Sequence, residues 1–80
     1  MRILQKKHIR HNCLAVFNRF NDSEKREIRS EICDALYLSS LPPLYAVISG
    51  RRPVLLWEAR AVEQVFSRRG IPASEVWRES

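Results

Sequence analysis

Apolar residues recur at Ile28, Ile32, Ala35 and Leu36, which is the i, i+4, i+7, i+8 spacing of one helix face. Asn21-Asp22-Ser23 stands just before them, and side chains of this kind cap helix starts. Glu24 falls in the first turn, where the helix dipole favours negative charge. The pattern predicts a helix over about residues 23–37. A second stripe, Leu55, Ala59, Val62 and Phe66, predicts a helix over 54–69 with Arg60, Glu63 and Gln64 outside. Pro53 suits its start. Arg68 and Arg69 suit its last turn, and Gly70 can take the left-handed position that ends it. Ile71 should then fold back on Phe66. The tail Pro72 to Trp77 reads as one short helical turn that buries Val76 and Trp77.

The segment between these helices holds Pro42-Pro43, a pair that usually argues against a helix. In a first turn the N–H groups have no intrahelical partner, so proline is tolerated there. With Ser40 as N-cap, a helix over 41–49 turns Leu41, Leu44, Val47 and Ile48 inward and ends at Gly50. Upstream, Leu14 and Phe17, joined by Val16 and Phe20, suggest a helix starting near residue 9, and residues 1–8 read as a basic arm. The chain is therefore expected to be all-α, a compact bundle of four to five short helices, with one domain over residues 9–80.

Composition sharpens this picture. The 80 residues suffice for one domain with a modest core, and 45% hydrophobic residues is too many for intrinsic disorder. Only two glycines and four prolines leave few breaks. Residues 1–20 carry Arg2, Lys6, Lys7, Arg10 and Arg19 with no acid, residues 21–50 are net acidic, and residues 51–80 are net basic. A net charge of +5 spread in this way suits a polyanionic partner. No apolar run approaches the roughly 18 residues of a membrane span, and none makes a signal-peptide core. Cys13 and Cys33 do not form a disulfide framework and read as reduced thiols, Cys33 as a small core residue. A cytoplasmic location is expected.

The order helix, turn, helix, Gly-Arg-Arg-Pro, helix, final turn resembles the lambda-repressor and Cro-type family of helix-turn-helix DNA-binding regulators. The resemblance is carried by Ile32-Cys33-Asp34-Ala35-Leu36, by Leu38-Ser39, and by Val47-Ile48-Ser49-Gly50-Arg51-Arg52-Pro53. Ala59 to Phe66 and the ending Gly70-Ile71-Pro72 to Val76-Trp77 complete it, over roughly residues 28–77. Tyr37 stands in the turn, where the family usually has glycine, and the span from Ile32 to Gly50 is one residue longer than usual.

The resemblance implies a transcriptional regulator, a repressor of phage or mobile-element type, acting on double-stranded DNA as a homodimer. Helix 41–49 would enter the major groove with Ser40 at its start and with Pro42, Tyr45, Ala46 and Ser49 outward. Tyr45 and Ser49 would hydrogen-bond base edges, and Ala46 would touch a thymine methyl. Arg51 and Arg52 would grip phosphates, while Lys6, Lys7 and Arg10 of the arm would add attraction or enter a minor groove. Val54, Trp57 and Trp77 are candidates for the dimer interface.

The same tryptophans support an alternative from another class, a small helical protein-binding module such as an inhibitor or adaptor. Other chemistry has little to stand on. His8, His11, Cys13 and Cys33 contain a zinc-type donor set, but their spacing follows no common zinc pattern. Glu24, Glu27 and Glu31 read as a solvated helix face. The chain has no glycine-rich loop to cradle phosphate. No enzyme activity, metal, cofactor or small-molecule substrate is expected.

Overall fold

The computed structural model describes residues 11–79, which form a small all-helical domain with four α-helices. They are α1 (Leu14–Phe17), α2 (Asp22–Leu36), α3 (Leu41–Ser49) and α4 (Leu56–Ser67), followed by a 3-10 turn at Ala73–Glu75. Two short strands, β1 (His11–Asn12) and β2 (Arg78–Glu79), pair antiparallel with His11 opposite Glu79 and Asn12 opposite Arg78. This ladder is not foreseen in the periodicity, because two-residue strands carry none. The helix expected from residue 9 instead begins at Leu14. The Cys13 N–H donates to the Ile48 carbonyl of α3 at 3.0 Å, and Asn12 Oδ1 accepts from the Leu14 N–H at 3.1 Å.

Each longer helix starts and stops for a local reason. At the head of α2, Asn21 accepts from the Glu24 N–H while the Glu24 carboxylate accepts from the Asn21 N–H, a reciprocal capping box. Helix α3 begins at Ser40 with extended backbone and no side-chain cap, since the prolines at its second and third positions offer no N–H. Three ends share one geometry. Leu38 N–H reaches Cys33 O at 2.8 Å, Arg51 N–H reaches Ala46 O at 3.0 Å, and Ile71 N–H reaches Phe66 O at 3.1 Å. These are Schellman-type stops, which require a left-handed residue just before the donor. Gly50 and Gly70 fill two of them at φ 78° and 84°. Tyr37 fills the third at φ 58°, a conformation that disfavours a residue with a Cβ by about 1–2 kcal/mol.

The core joins Val16 and Phe17 of α1, Ile28, Ile32 and Leu36 of α2, Leu44, Val47 and Ile48 of α3, and Val62, Val65 and Phe66 of α4. Ile71 and Val76 close it from the tail, as the turn at Gly70 leads one to expect. Helices α2 and α4 run antiparallel. Tyr37, at the end of α2, lies beside Trp57 at the start of α4 with ring centroids 6.3 Å apart and the rings tilted by 44°. At the other end Arg69 donates to both Glu31 oxygens at 3.1 Å and to Glu27 at 3.2 Å. Glu27 and Glu31 are thus ion-pair partners of the α4 end, not a merely solvated face.

Three apolar assignments need correction. Leu41, Leu55 and Leu14 are exposed rather than inward. The first two are terminal residues that lie before their helix turns its stripe to the core, and Leu14 opens a helix of a single turn.

Candidate nucleic-acid interface

The chain turns through 98° between α2 and α3 across residues 37–40, so α3 lies across the end of α2. Its inner side is held by Leu44, Val47 and Ile48, all fully buried. Opposite them Pro42 and Tyr45 are exposed and Ala46 is half-buried, with Ser40 exposed at the start. Ser49 departs from expectation. Its place on the helix is outward, yet its Oγ is buried and finds no hydrogen-bond partner among the described residues. The last turn of α3 is covered from the N-terminal side, where β1 packs and Cys13 bonds to Ile48. A hydroxyl enclosed in this way is not presented to a base edge, so Ser49 leaves the candidate reading set.

Beyond Gly50 the two arginines diverge. Arg51 is exposed. Arg52 turns back and donates from Nη2 to Glu58 Oε2 at 3.0 Å. Glu58 is 7% exposed, and its other oxygen accepts from the Leu55 N–H at 2.9 Å, which satisfies one orphan donor at the head of α4. Arg52 is therefore the counter-ion of a buried carboxylate and a clamp on the loop, a different duty from gripping phosphate. Glu58 has a faint sequence signal, a glutamate at the third position of a helix, but its arginine partner depends on how the loop curls. Lys6, Lys7 and Arg10 of the arm, like His8, lie outside the described residues.

The residues marked for a dimer interface separate as well. Val54 is 1% exposed, a core residue with no area left for a partner. Trp77 is packed against the core, and its Nε1–H donates to Glu63 Oε2 at 2.9 Å. Trp57 is 49% exposed beside Tyr37, which is 86% exposed. Below this pair a groove runs between α2 and α4, walled by Glu31 and Asp34 on one side and by Arg60 and Arg68 on the other.

Among the described residues no three His, Cys, Asp or Glu side chains gather as a metal site. Cys13 is fully buried, and burial pushes its thiol up to about 12, so it is held protonated and unreactive. The Cys33 thiol, only half-buried against the core, is also raised, first by desolvation and then by the neighbouring Asp34 charge. No single helix among the described residues is long and apolar enough to cross a membrane. No protein-family model matches the chain, and no curated protein or solved structure matches it. The described residues offer hydrogen bonds and charge at this surface.

Proposed function

We propose that this domain is a lambda-repressor-like helix-turn-helix regulator, a cytoplasmic transcriptional repressor that binds double-stranded DNA through α3. The observation that carries the reading is the 98° turn from α2 to α3 across residues 37–40. DNA-binding helix pairs of this kind meet at about 90–120° across three or four residues. The likeness of Ile32 to Pro53 to that family adds support. In this reading Tyr45 and Ala46 meet base edges, Pro42 packs beside them, and Arg51 lies on a phosphate. With Ser49 enclosed, little of the helix reads sequence by hydrogen bonds, so backbone attraction dominates and binding is strongly salt-dependent.

Fluorescence anisotropy with the gene's own upstream DNA and with random DNA, each at two salt concentrations, tests this. The upstream fragment should bind more tightly at both salts. Arg51→Ala should weaken both DNAs by a common factor and reduce the salt slope by about one. Tyr45→Ala should instead narrow the gap between the two DNAs. Equal binding to both that vanishes at the higher salt would leave only generic attraction and defeat the proposal.

The exposed Tyr37–Trp57 pair favours a second reading, a protein-binding module, because aromatic residues of this kind anchor interfaces. A protein that binds no DNA and elutes with a bound protein partner would favour it.

A further inference from the structure

We propose that the Tyr37 and Trp57 rings, together with the Asp34 carboxylate, form a binding site for a quaternary ammonium group. The proposal uses no residue of α3 and no DNA, so its success or failure leaves the DNA test untouched.

Tyr37 is the anomaly from which it starts. Of the three left-handed stops, two are made by Gly50 and Gly70, and only this one carries a side chain. Glycine would meet the same backbone at lower cost. The tyrosine ring is 86% exposed, so it gives the core little in return. A strained residue that the core does not require points to a use for its side chain. Its ring meets Trp57, itself 49% exposed, across 6.3 Å between centroids. Two aromatic faces from different helices are thus brought side by side and left open to solvent.

Charge decides what these faces receive. Asp34 and Trp57 line the same groove between α2 and α4. The other charged residues lining it are already matched, Glu31 by Arg68 and Arg69, and Arg60 by Glu63. The Asp34 carboxylate has no hydrogen bond or ion pair among the described residues. It stands one helical turn from Tyr37, whose N–H donates to the Asp34 carbonyl at 3.4 Å. An unmatched negative charge beside two electron-rich ring faces attracts a cation and repels an anion.

The kind of cation follows from the shape. A bare metal ion needs several oxygen ligands, and no three acidic, His or Cys side chains gather among the described residues. A flat guanidinium cannot lie face-on against two rings tilted by 44° at once. A rounded ammonium covered with methyl groups touches both, and its charge still faces the carboxylate.

Titration with choline chloride, followed by the indole N–H signals in a proton–nitrogen NMR spectrum, tests the site. Sodium chloride at equal ionic strength is the blank. The Trp57 signal should shift and saturate with a Kd on the order of 1 mM, as two partly exposed rings allow. The Trp77 indole, held by Glu63 at 2.9 Å, should stay in place. Tyr37→Gly, which keeps the backbone its easiest residue, should weaken binding at least about tenfold. Asp34→Asn keeps both rings and should weaken it about threefold. Far-UV circular dichroism checks that each variant is folded. A peptide carrying trimethyllysine separates the sources. Tighter binding of the peptide than of choline assigns the group to a partner protein, and equal or weaker binding assigns it to a free small molecule. A Trp57 signal unmoved by both ligands up to about 100 mM, far above the expected Kd, overturns the proposal. So does an equal shift with 3,3-dimethylbutanol, the uncharged analogue of choline, or binding indifferent to both Tyr37→Gly and Asp34→Asn.

Discussion

Replacing Arg52 by alanine should destabilise the fold far more than a loop arginine ordinarily does. The Arg52 side chain is 37% exposed, while that of its partner Glu58 is only 9% exposed. Exposed ion pairs contribute about 0.2–1 kcal/mol, whereas breaking a buried pair removes about 3–5 kcal/mol. This pair lies between those limits. The arginine end is partly solvated, and after its removal Glu58 still accepts from the Leu55 N–H at 2.9 Å. A loss of about 2 kcal/mol follows. For a domain of this size that lowers Tm by about 8–16 °C. It is also a large share of the roughly 3–5 kcal/mol that a core this small supplies.

Urea unfolding followed at 222 nm reads the effect directly. The control is Arg19→Ala, whose pair with Glu75 spans 3.7 Å with both side chains more than half exposed, and whose loss should stay below about 0.5 kcal/mol. The combined Arg52→Ala, Glu58→Ala variant decides the cause, because it removes the stranded carboxylate together with its counter-ion. It should fall short of the summed single losses by about 1 kcal/mol or more. If Arg52→Ala unfolds like the control, or if the two losses simply add, the clamp is not what holds the loop.

Three further outcomes follow from burial. At pH 8 an alkylating reagent should modify Cys33 ahead of Cys13, which reacts only as fast as the protein opens, with mass spectrometry of the peptides as the readout. The Cys13 thiol sits near 9.0 when unfolded and at about 12 when folded. The stability tied to its proton is thus complete below pH 9 and drains away as pH climbs towards 12, at up to about 1.4 kcal/mol per pH unit. Cys13→Ala should flatten that part of the stability curve. In the core, Phe66→Ala should remove about 3–5 kcal/mol, enough to leave a largely unfolded chain by circular dichroism at 25 °C.

Helical periodicity made α2, α3 and α4 readable because each buries one stripe against a common core. The proline pair at Pro42-Pro43 gave α3 the bounds 41–49 through its tolerance for a first turn alone, and the structure has those bounds. At α4 the expected span was two residues too long at each end, since Val54 is core without being helical and Leu55 is the cap. What escaped was set by distant partners. Nothing local tells Ser49 that β1 will cover its turn, or tells Arg52 that the loop will deliver it to Glu58. Trp57 and Trp77 look alike in a sequence, and only the tail's path gives one of them Glu63 and leaves the other open. Charge blocks were legible as blocks, but the tie from Arg69 to Glu27 and Glu31 needed the antiparallel pairing of α2 and α4.

The bond from the Cys13 N–H to the Ile48 carbonyl bears on how the molecule comes apart. Most of the stops that end its helices are local, made by residues a few positions away that re-form as soon as the turn does. The final turn of α3 has such a local stop and one tie more, because its Ile48 carbonyl is served by a segment far away in the chain. When that segment lifts, the end of α3 loses its partner while the α2–α4 frame stays closed. Hydrogen exchange should therefore divide the domain into two tiers, with the Cys13 amide opening ahead of those of Ile32 and Phe66. Part of the order at the end of α3, beside what the local stop at Gly50 gives, is thus lent by a segment well upstream in the chain.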